Sequence, residues 1–243
     1  MSILPQTKTV KKTDDPKNLI IFGLPKVGKT SSLAKLPNNL IIDLEDGTDY
    51  IEGFVYKANK IKDLYEVSQA LRNEEHQFKF VTIDTITALE ELAIKLACKN
   101  EGVESKEQLF NLPYGRGYSA HRDAVKEILS WFYGIGVNVI LTAHVKDKSL
   151  AEGSTELNVK TLDLGGKLSN ILSADSDAIC YVYRDVENGN LMANFGDMNS
   201  VLTGARSAHL AGKTICLAER KQLENGNYDL ITHWDTIYPS LNE

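Results

Sequence analysis

Residues 18–30 read Asn-Leu-Ile-Ile-Phe-Gly-Leu-Pro-Lys-Val-Gly-Lys-Thr, and this stretch decides the fold. Its first five residues are a short, largely apolar run that stops at a glycine, which predicts a buried strand. The next eight, Gly23, Leu24, Pro25, Lys26, Val27, Gly28, Lys29 and Thr30, fit the G-x-x-x-x-G-K-[ST] pattern of a phosphate-binding loop. Each part has a physical task. The glycines let the backbone turn its N–H groups inward and admit phosphate oxygens closely, and a following helix adds its positive amino-terminal end. Lys29 would neutralise the β- and γ-phosphates of a nucleotide, and the Thr30 hydroxyl would ligate Mg²⁺. The candidate nucleotide contacts are therefore residues 23–30 together with Ser31. Lys26 occupies a position that the pattern leaves free.

Outward from this loop the chain alternates strand and helix. Apolar runs at 40–43, 78–83 and 137–143 predict further buried strands, and helical composition or periodicity marks 29–36, 61–72, 86–99 and 119–133. Such alternation predicts parallel strands joined by crossover helices. After about residue 176 the pattern changes. Two Glu-Asn-Gly-Asn turns, at 187–190 and 224–227, each separate two extended runs and signal β-hairpins. The expectation is an α/β fold: a mostly parallel sheet flanked by helices and extended by antiparallel strands at its carboxyl-terminal end.

Three polar positions sit where strands of such a sheet present their carboxyl ends, the place where open α/β sheets bind ligands. The run 80–84 ends in Asp84, the expected metal-side carboxylate. Thr85 beside it fits either the metal's waters or a helix cap. The run 40–43 leads into Asp43-Leu44-Glu45-Asp46-Gly47, and Glu45 is the candidate base that orients and deprotonates the attacking water. Asp46-Gly47 reads as turn chemistry. The run 139–143 leads into His144, a candidate sensor of the γ-phosphate. The expected catalytic set is Glu45, Lys29 and His144, and the expected metal set is Thr30 and Asp84.

Composition narrows the class. The chain has 243 residues, 42% hydrophobic and 25% charged, which excludes a wholly disordered or collagen-like protein. No apolar run reaches the roughly 18 residues that span a bilayer. The start MSILPQTKTVKK has no apolar core of signal-peptide length, so the expected compartment is the cytoplasm. Cys98, Cys180 and Cys216 lie far apart without metal-ligand spacing, and read as small buried hydrophobes of a reducing compartment. The net charge of −6 means that any nucleic-acid contact must come from a local patch. Residues 1–17 are polar and lysine-bearing and read as a flexible basic arm, with 18–243 forming one domain.

Taken in order, Gly23 to Thr30, Ile42-Asp43-Leu44-Glu45, Asp84-Thr85 and Leu141-Thr142-Ala143-His144 resemble the motifs of RecA-like P-loop ATPases. The overall form resembles that of the small single-domain members of bacteriophages, including the Sak-type single-strand annealing proteins. Tyr114-Gly115-Arg116-Gly117-Tyr118, followed by a long helix, also resembles that group. The likeness extends over roughly residues 18–220. It implies ATP and Mg²⁺ as ligands, with Lys29 and Thr30 at the phosphates and metal, Asp84 beside the metal and Glu45 activating water. His144 stands where RecA has a glutamine. The resemblance further implies single-stranded DNA as partner, bound by two mobile loops at about 100–118 and 146–167. The second carries Lys146, Lys148, Lys160 and Lys167 with Gly153, Gly165 and Gly166, diluted by Glu152, Glu156 and Asp163. Tyr114 and Tyr118 flank the first. A ring or filament with nucleotide at the subunit interface is implied too, with Arg206 or Lys213 as the basic residue supplied by a neighbour.

The function expected on these grounds is ATP hydrolysis coupled to single-stranded DNA in phage-type recombination, annealing or repair. The alternative is a nucleotide-gated binding module, a loader for replication proteins with little turnover of its own. A small-molecule kinase would want an arginine-rich lid, and a GTPase an Asn-Lys-x-Asp motif. Neither is present in the sequence.

Overall fold

The computed structural model describes residues 4, 7, 11, 13–152, 155–196, 200–223, 226 and 228–242. Its centre is β1 (Asn18–Gly23), with every residue from Leu19 to Gly23 buried. Strands covered on both faces read as continuous apolar runs, which is why the sequence shows no polar alternation here. Successive side chains nevertheless part to opposite sides. Ile20 and Phe22 join a core with Leu40, Ile42, Val81 and Ile83. Leu19 and Ile21 join a second core with Leu33, Ile41, Phe80 and Ile140.

Parallel neighbours flank β1 on both sides: β5 (Asn138–Glu152) and β7 (Ala178–Arg184). Beyond β5 lie β4 (Phe80–Asp84), β2 (Asn39–Asp43) and β3 (Phe54–Lys57), all parallel. The strand that carries Asp84 is thus one strand removed from the phosphate loop, with β5 between them. Beyond β7 the sheet turns antiparallel through β8 (Leu191–Asn194), β10 (Thr214–Gln222) and β11 (Tyr228–Thr232). A short β9 (Gly204–Ala205) pairs with the start of β7. The expected α/β class and its antiparallel extension are therefore observed in a single sheet. The turn at 187–190 joins β7 to β8, whereas 224, 225 and 227 of the second expected turn lie outside the described residues.

The connecting helices are α1 (Lys29–Leu33), α2 (Ile61–Asn73), α3 (Ile86–Glu101), α4 (Lys106–Phe110), α5 (Arg116–Ser130) and α6 (Leu168–Asp175). α1 is shorter than expected and α5 begins three residues earlier. The start of α5 is set by a tight approach. A Cβ at Gly117 would stand 1.8 Å from the Leu109 carbonyl oxygen, so only glycine lets α5 meet the end of α4. β3, α6 and the strand β6 (Thr155–Leu162) escape the sequence reading: β3 has only four residues, at a sheet edge, and β6 lies in a stretch whose glycines and lysines suggested a loop, with α6 directly after it.

Both expected mobile loops are regular structure. Residues 100–118 hold the end of α3, α4, a 3-10 turn (Pro113–Gly115) and the start of α5. Most of 146–167 is an antiparallel hairpin of β5 with β6 (Thr155–Leu162), in register from Val145↔Leu162 to Glu152↔Thr155. Gly153 lies outside the described residues. Much of the hairpin's charge is matched internally, Lys160 with Asp147 at 3.1 Å and Lys146 with Asp163 at 3.5 Å.

Of the expected amino-terminal arm, residues 1–3, 5–6, 8–10 and 12 lie outside the described set. Its end is tied to the body. The Lys17 amide donates to Asp177 Oδ2 at 3.0 Å, and the Ser240 hydroxyl donates to Asp15. The carboxyl-terminal segment packs on the second core through Trp234, Ile237 and Tyr238, all buried. Trp234 Nε1 donates to the Ser32 carbonyl at 2.8 Å and so fastens this segment to α1. No helix among the described residues is long and apolar enough to cross a membrane.

Candidate functional site

Parallel register brings the chemistry to one edge of the sheet. Gly23 lies opposite His144 and Asp43 opposite Asp84, while Ile83 opposite Leu141 puts Asp84 about two residues short of His144, so β1, β2 and β4 end within two residues of one another. The loop after β1 curls there. Lys26 takes φ 62° and Gly28 φ 115°, the latter a conformation that glycine adopts at low cost. Because α1 has only five residues, it offers no long helix dipole, and an anion at this edge would depend on the loop amides and Lys29.

Lys29 is 6% exposed, and its Nζ donates to the carbonyls of Gly23 and Leu24, each at 3.0 Å. Burial pushes its pKa below the usual lysine value, while the charges of Asp84 and Glu45 act in the opposite sense. Thr30 Oγ1 donates to Asp84 Oδ2 at 2.6 Å. The other Asp84 oxygen accepts from the Thr142 hydroxyl. Burial drives the Asp84 carboxyl above the ordinary carboxylate range, against the pull of those two hydrogen bonds. The Asp84–Thr85 peptide is cis.

Glu45 is held by its neighbours. Its Oε1 accepts from Thr85 Oγ1 at 2.7 Å and lies 3.1 Å from His144 Nε2. Thr85 also caps α3, accepting from the Ala88 amide at 3.2 Å, so the hydroxyl fixes both the helix and the carboxylate. Asp43 serves the turn. It accepts from the amides of Glu45 at 2.9 Å and Thr48 at 3.2 Å, and from the Thr48 hydroxyl at 2.5 Å. The His144 amide donates to Thr87 Oγ1 at 3.3 Å, and its ring Nδ1 is buried with no hydrogen-bond partner among the described residues.

These side chains line one cleft of about 510 Å³, which contains Lys29, Thr30, Glu45, Asp84 and His144. Pro25, Lys26, Gly28 and Ser31 line it as well. Gly23, Leu24 and Val27 do not. A Cβ at Gly23 would stand 2.5 Å from the Val182 carbonyl oxygen, Leu24 is 57% exposed, and Val27 is buried. The donor set suits a nucleotide and its cation: a lysine and loop amides for phosphates, with a threonine hydroxyl and an aspartate for Mg²⁺.

Two further residues belong to the site. Tyr50 stands fully exposed at the cleft wall, and only its place five residues after Glu45 hints at it in the sequence. Arg184, at the end of β7, donates from Nε to the Val27 carbonyl at 2.8 Å and from Nη1 to the Gly189 carbonyl at 3.0 Å. It braces the loop from beneath. No motif announces it, because its contact with the loop is to a backbone carbonyl 157 residues away. The candidate residues for a neighbouring subunit lie elsewhere. Arg206 is engaged within the chain, by Asp177 Oδ1 at 3.1 Å and the Ala174 carbonyl at 2.7 Å, at the start of β7. Lys213 is exposed.

A family profile described as an AAA domain matches residues 15–215, and the chain belongs to that family. The SPbeta prophage-derived uncharacterized protein YorG of Bacillus subtilis (strain 168) is 25% identical over 148 residues. That match covers 59% of this chain and 45% of the relative, so the chain spans less than half of that protein's length. Among solved structures, the RadB recombinase superposes with a TM-score of 0.47 at 14% identity, covering 87% of this chain and 90% of that one.

Proposed function

We propose that the chain is a Mg²⁺-dependent ATPase that couples nucleotide turnover to single-stranded DNA, in phage-type recombination, annealing or repair in the cytoplasm. One observation carries the hydrolytic part. Lys29, Thr30, Asp84, Glu45 and His144, drawn from four separate strand ends and loops, converge on a single cleft. Membership of the AAA domain family supports nucleotide binding, and the prophage origin of one relative supports the phage setting.

The chemistry is displacement at the γ-phosphate by water. Loop amides and the Lys29 ammonium hold the phosphates and offset charge that develops on their oxygens. Thr30 and Asp84 would hold Mg²⁺, which when bound supplies charge neutralisation between the β- and γ-phosphates. Glu45 accepts the water's proton, and the Thr85 hydroxyl keeps its carboxylate in place. His144, on β5 beside Gly23 and leading into the hairpin, reports the state of the γ-phosphate through its contact with Glu45.

DNA binding and a ring or filament rest on the resemblance. The fully exposed Tyr114 and half-exposed Tyr118 supply faces on which bases would stack. A second reading, a nucleotide-gated loader with little turnover, is favoured by the hairpin, where Lys146 and Lys160 are paired with carboxylates of the same chain. Phosphate release measured with and without single-stranded DNA separates the two readings. Severalfold stimulation, abolished by K29A, supports the ATPase. Turnover that ignores DNA removes the coupling.

A further inference from the structure

Cys216 is not the buried hydrophobe that its sequence surroundings suggest. Cys98 and Cys180 are buried, but Cys216 is only partly so. β10 and β8 pair Cys216 with Met192 and Ala218 with Leu191, so the register shifts between these steps. In an unbroken strand, residues 216 and 219 would face opposite sides. The bulge removes one step of alternation, and Cys216 and Glu219 come to share a side. The same bulge recruits a third group: the His233 amide donates to the Leu217 carbonyl at 2.9 Å, which fixes the residue after β11 beside it.

The result is a cluster of three different donors. Cys216 Sγ, a Glu219 carboxylate oxygen and a His233 ring nitrogen all lie within 4.8 Å of one another. His233 Nε2 is 3.3 Å from Glu219 Oε1, and it is a buried nitrogen with no hydrogen-bond partner among the described residues. Thiolate, imidazole and carboxylate together suit a borderline-soft divalent ion, whereas Mg²⁺ and Ca²⁺ prefer oxygen alone. Bond lengths of about 2.0–2.3 Å need the three donors to close by only about 1 Å, within reach of side-chain rotation.

We propose that Cys216, Glu219 and His233 form a three-ligand site for a divalent transition ion, zinc above all, with a fourth position open to water. The site is separate from the nucleotide cleft and does not depend on its chemistry. It adjoins Trp234, whose indole holds the Ser32 carbonyl of α1, so a bound ion would stiffen the segment that supports the phosphate-loop helix.

Cobalt titration of the full chain without a histidine tag tests this. The expected result is a thiolate-to-cobalt charge-transfer band that saturates at one equivalent and is displaced by zinc. It persists when excess Mg-ATP fills the cleft, and it is lost in C216S and H233A. Zinc at about 100 times its dissociation constant is expected to raise the wild-type Tm by roughly 5–10 °C and to leave C216S unmoved. The wild-type band does not depend on how well the variants fold. Absence of a thiolate band in the wild type, or its survival in C216S, overturns the proposal.

Discussion

Replacing Glu45 by Gln changes the chemistry of the site while sparing its geometry. Glu45 Oε1 accepts from Thr85 Oγ1 at 2.7 Å and faces His144 Nε2 at 3.1 Å. A glutamine amide oxygen can accept both, so the turn, α3 and the cleft keep their positions. What is lost is the base and its negative charge, which acts on Lys29 and Asp84. General-base assistance contributes about 10²–10⁴ in rate, or roughly 2.7–5.4 kcal/mol of barrier. E45Q is therefore expected to lower kcat for ATP by that factor, with the affinity for Mg-ATP within about twofold of wild type. Steady-state phosphate release gives the first quantity, and calorimetric titration the second. Turnover in E45Q within threefold of wild type would refute the role of Glu45 as base. A loss confined to binding would refute the claim that its neighbours hold the site independently of its charge.

Asp84 carries a pH signature. Its folded-state pKa is raised, mainly by burial, above the ordinary value of 3.8. The unfolded chain therefore releases this proton first, and the Asp84 contribution to stability is full below 3.8 and declines as pH rises towards the folded value. D84N is expected to melt higher than wild type at pH 7 in EDTA, with the difference shrinking towards pH 4, as calorimetry across that range would record. Arg184→Ala removes the charged donor to the Val27 carbonyl; Mg-ATP affinity should fall about ten- to a hundredfold in a binding titration, with the melting curve less affected. Gly117→Ala forces a Cβ against the Leu109 carbonyl and should cost about 1–3 kcal/mol or more in urea denaturation.

The parts of the site that a chain reader can find are those in which local sequence dictates position. Lys29 and Thr30 follow a strand and open a helix, and Asp84 and His144 each end or follow an apolar run, so parallel register brings them to the same edge of the sheet, His144 about two residues beyond Asp84. Glu45 was reachable because the turn after β2 is built by Asp43, close in sequence. Contacts that join distant segments were not legible. Arg184 meets the loop through a carbonyl 157 residues away. The Cys216, Glu219 and His233 cluster depends on a bulge that has no residue signature. The hairpin of β5 and β6 was masked by glycines and lysines that read as a loop, and the run Val145-Lys146-Asp147-Lys148-Ser149 carries no apolar alternation to signal a strand. The partial neutralisation of its lysines by Asp147 and Asp163 is likewise a matter of cross-strand pairing and of nothing local.

The central claim is that the loop at 23–30, with Asp84 beside it, binds the terminal phosphates of a nucleotide with its cation. Calorimetric titration of Mg-ATP into the wild-type chain and into Lys29→Ala tests it most directly. The expected result is one site per chain in the wild type, weakened about a hundredfold or more in the variant and weakened when Mg²⁺ is withheld. No saturable binding in the wild type, or equal binding in Lys29→Ala, would contradict it.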